Sequence, residues 1–191
     1  MKLFFDNKAS KIAQQEKLIF VDNDFLGLIF HDEEVMKESI TVFSGKMVHL
    51  HPFTEFEFLR DVFSPKIRIF KEQFLAQPIF GHIDPDTHMQ IFQHLLDNAL
   101  LLSKIFAHQA GSGNKNTSSF VDLLLAGLLM FLKDKAVLIT SNKKDFSSCV
   151  FDIVGIINIE QNDGSIRTIC ILEFNQGKFN NCLEKLNKVQ N

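Results

Sequence analysis

Four acidic residues, Asp22, Glu57, Asp122 and Asp145, stand where an open α/β sheet builds a site, beyond the carboxyl ends of its strands. Asp22 is the first residue after the apolar run Leu18-Ile19-Phe20-Val21, and Asp145 follows the run Ala136-Val137-Leu138-Ile139, which ends at Thr140. Asp122 falls in the first turn of an apolar segment that begins at Ser119, and Glu57 lies a turn or so past Pro52. Two carboxylates about 4 Å apart repel by roughly 4 kcal/mol at an effective dielectric near 20, so gathering four is unfavourable by itself. A hard divalent cation removes that penalty, and oxygen donors suit Mg2+ or Mn2+ better than zinc. An ion held this way can activate water and take up the charge that builds on a phosphodiester during displacement.

Each acid also has a purely structural use. Asp22 could cap a helix that starts near Asp24, and Ser119 with Asp122 has nearly the form of a capping box, in which both side chains bond backbone N–H groups. Glu57 competes with Glu55, which faces elsewhere because residues two apart on a helix do not align. Asp145, beside Lys143 and Lys144, could be part of a solvated turn. His49 and His51 share one face of a strand, but no third ligand is spaced to complete a metal site with them.

The elements that must position these residues alternate along the chain. Lys17–Val21 reads as a strand buried on both faces, followed directly by a helix with Phe25, Leu28 and Ile29 on one side. Asp32, Glu33 and Glu34 favour the start of a second helix, to about Ser39. Lys46–Leu50 is the next strand, and Pro52 opens a helix that Pro65 limits. Another helix carries Phe70, Phe74 and Leu75 and is closed by Pro78 and Gly81. The longest helix runs from Asp84 or Asp86 to about His108, with Phe92, Leu95, Leu96, Ala99, Leu102 and Phe106 at helical spacing. A flexible loop over residues 111–118 precedes the apolar helix from Ser119 to Lys133, and Ala136–Thr140 is a further buried strand. Strands over Ile153–Ile159 and Ile166–Phe174, joined through Asn162-Asp163-Gly164, form a hairpin, and a last helix covers about Lys178 to Val189. Strand–helix alternation predicts an α/β fold with a central, mostly parallel sheet covered on both faces.

The chain has 191 residues, ordinary for one domain with its own core. Its aromatic residues are 21 Phe with neither Trp nor Tyr, so the rings carry no polar handle and read as core. A net charge of −3 means that any attraction for nucleic acid must be local; Lys115, Lys143 and Lys144 are the candidates for phosphate contacts. Cys149, Cys170 and Cys182 show no paired spacing, which favours a reducing compartment. No signal-peptide pattern and no membrane-spanning apolar run is present, and the expected location is the cytoplasm.

Taken together, four segments resemble the PIN-domain ribonucleases, particularly the VapC-type toxins of toxin–antitoxin pairs. Ile19-Phe20-Val21-Asp22-Asn23-Asp24 looks like the family's opening strand, and Thr54 with Glu57 resembles its helical Glu preceded by a hydroxyl. Ser119-Phe120-Val121-Asp122 resembles its third motif, and Thr140-Ser141-Asn142-Lys143-Lys144-Asp145-Phe146 its ending, with Asn142 where many relatives have Asp. The resemblance covers Leu18 to about Ile159. It implies a three-layer α/β/α nuclease domain over 1–159; the hairpin and helix over residues 160–191 have no obvious counterpart in that family and are expected as an extension packed on the domain. It further implies endoribonuclease activity with Mg2+ or Mn2+, single-stranded RNA as substrate and an antitoxin protein as partner; a homodimer, through the Asn162 hairpin or the last helix, is a separate expectation. Asp22, Glu57, Asp122 and Asp145 would be the metal-binding and catalytic acids, supported by Asp24, Thr140 and Asn142. Two other readings stand beside it: a non-catalytic interaction module on the same fold, and a haloacid-dehalogenase-type phosphatase using Asp22 as nucleophile. Against the latter, Leu26 stands two residues beyond Asp24, where that family has Thr or Val.

Overall fold

The uninterrupted apolar runs that end before Asp22 and at Thr140 become adjacent parallel strands in the computed structural model, which describes residues 2–12, 15–43, 46–60, 62–110 and 118–190. These strands are β2 (Leu18–Val21) and β5 (Ala136–Thr140). Around them lie β1 (Lys2–Phe5), β3 (Val48–Leu50), β4 (Phe80–His82), β6 (Phe151–Glu160) and β7 (Ile166–Phe174). All seven form one sheet in the order β1-β6-β7-β5-β2-β3-β4. Eight α-helices complete the described residues: α1 (Asn7–Ile12), α2 (Asn23–His31), α3 (Glu33–Val42), α4 (Pro52–Arg60), α5 (Pro65–Leu75), α6 (Pro85–Ala110), α7 (Phe120–Leu132) and α8 (Gln176–Gln190).

The period-2 alternation of the strands divides the apolar residues between two cores. Phe20, Leu138, Cys170 and Leu172 face one core, filled by Leu95 and Leu102 of α6, Leu124 and Leu128 of α7, and Leu186 of α8. Ile19, Val21, Ile139 and Ile171 face the other, filled by Phe25 and Leu26 of α2, Phe58 of α4 and Phe74 of α5. Both faces of the central strands are dry, which is why β2 and β5 are continuously apolar instead of alternating with polar residues.

The sheet is mixed, not mostly parallel. β2 pairs parallel with β3 and β5, and β3 with β4, but β6–β7, β5–β7 and β1–β6 are antiparallel. The cause is the expected hairpin, whose turn has Gly164 at a φ of +78°. A tight turn returns the chain antiparallel, and β7 then docks on β5 instead of lying outside the sheet. The proposed boundary after residue 159 therefore falls inside the β6–β7 hairpin, and residues 160–191 contribute a strand to the middle of the sheet. No described helix is long and apolar enough to cross a membrane.

The close approach of α6 and α7 depends on Gly127. A Cβ at this position would stand 2.6 Å from the backbone oxygen of Leu95 and 3.2 Å from the nitrogen of Ala99. Backbone atoms cannot swing aside as a side chain can, so Gly127→Ala is expected to destabilise the protein by about 1–3 kcal/mol. Urea unfolding should show this as a lowered midpoint at unchanged slope.

Candidate active site

Asp22 leaves the sheet with its backbone N–H still bonded to Ile139 O at 3.0 Å, and its side chain caps α2 by accepting from Asn23 N at 2.6 Å. The other carboxylate oxygen accepts from Thr140 Oγ1 at 2.7 Å. Thr140 is fully buried at the end of β5, and the same hydroxyl accepts from Asn142 N at 3.0 Å. One hydroxyl thus joins the ends of β2 and β5 and fixes the turn that leads to Asp145. Asp22 is 5% exposed, and burial pushes its pKa up to about 7. The Thr140 bond opposes the rise, the charges of Asp122 and Asp24 add to it, and the Asn23 bond again lowers it.

Asp122 is also buried, and its pKa is raised, first by desolvation and further by the charges of Asp145 and Asp24, against the opposing hydrogen bonds from Ser119. The capping box forms as its spacing suggested: Asp122 Oδ2 accepts from Ser119 N at 2.7 Å, and Asp122 N donates to Ser119 Oγ at 3.1 Å. Asp145 lies buried in the 3₁₀ turn Lys143–Asp145, where Asn142 Nδ2 donates to its carboxylate. Ser118 Oγ donates to Asp145 O at 2.7 Å, latching this turn to the start of α7. Asp24 accepts from Ser141 Oγ at 2.9 Å, and Ser141 accepts in turn from Arg167 Nη2 at 3.1 Å.

Glu57 reaches the rim's flank from α4. It lies 3.8 Å from Arg60 Nη1 and lines a cavity of about 350 Å3 together with Asp24, His31, Lys71 and Arg167. Thr54 is fully buried, and its hydroxyl has no hydrogen-bond partner among the described residues, so it does not hold Glu57. Glu55 is committed elsewhere, at 3.0 Å from His82 Nδ1. His51 is fully buried against Phe53 and His88, and burial with the nearby His88 pushes its pKa down to about 4, which marks a core histidine. Lys143 and Lys144 line a second cavity beside Asp145, of about 500 Å3. Lys115 lies outside the described residues.

Asp22, Asp24, Asp122, Asp145, Thr140 and Asn142 thus share the rim at the carboxyl ends of β2 and β5, with Glu57 at its flank. Comparison with family models, with curated proteins and with solved structures finds no match. Among the described residues no group of three or more His, Cys, Asp or Glu side chains is gathered so as to hold a metal ion. In kind, the donors still fit a hard divalent cation, since all are carboxylate oxygens and two have ionisation disfavoured by burial and like charge. Arg167, Ser141 and Ser118 were not singled out from the sequence. Arg167 lies in a strand after the hairpin turn, outside any motif, and only the pairing of β7 with β5 brings it to the rim.

Proposed function

We propose that this chain is a metal-dependent endoribonuclease with the three-layer α/β/α arrangement of the PIN domain, hydrolysing phosphodiester bonds of single-stranded RNA. One observation carries the reading: Asp22 and Asp122, from distant parts of the chain, are buried at one rim with their ionisation disfavoured. The groups seen to meet Asp22, Asp24 and Asp122 are hydroxyls and backbone amides. Among the described residues these are neutral donors, and a divalent cation is the partner that would offset the charge of these carboxylates.

Asp22, Asp122 and Asp145 would hold Mg2+ or Mn2+, with Asp24 and Glu57 at its flank. When bound, the ion supplies an activated water and takes up charge on the phosphodiester. Thr140 aims the Asp22 carboxylate, and Asn142 aims that of Asp145. Lys143 and Lys144 on one side, with Arg167 and Lys71 on the other, offer cations to the flanking phosphates. The resemblance extends the proposal to a toxin whose antitoxin covers this rim.

A second reading, a non-catalytic module on this fold, is favoured by the capping box that occupies Asp122 and by Asn142 bonded to Asp145. One experiment separates the two. Single-stranded RNA is incubated with the protein and Mn2+, with and without EDTA, and Mn2+ binding is followed by calorimetry. Cleavage that EDTA stops, with saturable Mn2+ binding, is the expected result. No cleavage and no saturable binding would leave only the module.

A further inference from the structure

We infer that the cavity beside Asp145 is a nucleobase-binding site, which takes one unstacked base of the RNA strand whose neighbouring phosphate lies at the aspartates. The inference rests on the nuclease reading and adds to it how the substrate strand is gripped. Three observations lead to it.

The first is position. Asp145 belongs to both places: its charge acts on Asp122, and the residue lines the cavity. A phosphate at the acids therefore puts the adjacent sugar and base at the cavity mouth.

The second is shape and lining. The space is about 500 Å3, within the range of roughly 300–1,000 Å3 of small-molecule sites. Its floor is apolar, formed by Phe106, Phe146, Phe151 and Leu172, all buried. Ile153 forms a wall and is 46% exposed. A bound planar ring would cover it.

The third is the chemistry of the mouth. Lys143 and Lys144 flank the opening, and Gln109, at the end of α6, brings an amide whose Nε2 donates to Cys182 Sγ at 3.8 Å and whose oxygen can accept from a ligand. An aromatic plane with a hydrogen-bonding edge, tethered to phosphates, uses all three features. An aliphatic ligand would leave the lysines and the amide without a role. The hairpin takes part in the site, with Phe151 and Ile153 of β6 and Leu172 of β7 in its lining.

The test measures binding of short single-stranded RNA oligonucleotides by fluorescence anisotropy, with Ca2+ replacing Mn2+ to limit cleavage. One nucleotide at a time is made abasic. With the wild-type chain, one abasic position is expected to weaken binding about tenfold, the scale of a single stacked base. With Ile153→Asn, and independently with Gln109→Ala, the intact oligonucleotide is expected to bind more weakly, and the abasic change at that position to add little. Both side chains are exposed enough for the variants to fold, and their Mn2+ affinity should match wild type. A flat abasic scan, or variant and abasic effects that simply add, would overturn the base site while RNA and Mn2+ binding persist. Loss of all RNA and Mn2+ binding by the wild-type chain is a different outcome and overturns the nuclease reading with it.

Discussion

Asp22→Asn is expected to lower RNA cleavage on the order of a thousandfold, and also to make the metal-free protein more stable at neutral and alkaline pH. The loss follows from removing the charge most buried at the rim, where a cation is to be held. The gain follows from the same burial. A carboxyl whose folded-state pKa lies above its unfolded value binds more protons when folded, so stability falls as pH rises between the two values and stays low above them. For Asp22 that window runs from its ordinary 3.8 to about 7. A rise of this size corresponds to about 4 kcal/mol of disfavoured ionisation, an upper bound on what the neutral amide restores. The amide copies the protonated acid in shape but keeps one oxygen to serve both Asn23 N–H and the Thr140 hydroxyl, so the measured gain should be smaller. Thermal unfolding with EDTA present should show the variant melting above wild type near about pH 8 and the two converging near about pH 4. Equal melting temperatures across that range would remove the claim that Asp22 is held at a cost, and unchanged cleavage would remove its role.

This behaviour was only partly legible in the sequence. The runs that end at Val21 and Thr140 identified two buried strands, because residues dry on both faces leave no polar alternation to confuse with a helix. That placed Asp22 and the Thr140–Asp145 turn at one edge. Position along the chain did not show how the acids are occupied. Asp122 serves the capping box and also feels the charges of Asp24 and Asp145, so the structural and the chemical reading of one side chain coexist. Glu57 shows the opposite limit. Its helical phase distinguished it from Glu55, but phase does not specify distance, and α4 carries it to the cavity with Lys71 and Arg167. The elements missed share a cause. β1, α1 and β4 are short, and β4, Phe80-Gly81-His82, has no β-branched residue; it is a strand because β3 offers an edge to pair with. Tertiary pairing decides such segments, as it decides the docking of β7 on β5 and with it the arrival of Arg167.

Thr140→Val is expected to be among the most destabilising substitutions at this rim, and its effect should grow with pH. The hydroxyl donates to Asp22 and accepts from Asn142 N–H, and Thr140 is fully buried. Valine keeps the shape and deletes both bonds, leaving one carboxylate oxygen and one backbone N–H without this partner, at a cost of about 2–4 kcal/mol. The bond to Asp22 favours the ionised form, so its removal raises the Asp22 pKa further. The part of the stabilisation owed to that bond is therefore fully present above the variant's still higher pKa and is lost as pH falls from there through the wild-type value of about 7. Urea unfolding near about pH 8.5 should show a larger loss for Thr140→Val than unfolding near about pH 5.5. Thr140→Ser keeps the hydroxyl and should recover most of the difference, losing only what the buried methyl contributes, about 1 kcal/mol. Thr140→Val should also loosen the turn that carries Asn142 and Asp145, so hydrogen exchange at the Asn142 amide is expected to speed up more than exchange in β2. A loss that is equal at both pH values, with serine no better than valine, would reduce Thr140 to a packing residue and separate the aim of Asp22 from the turn beside it.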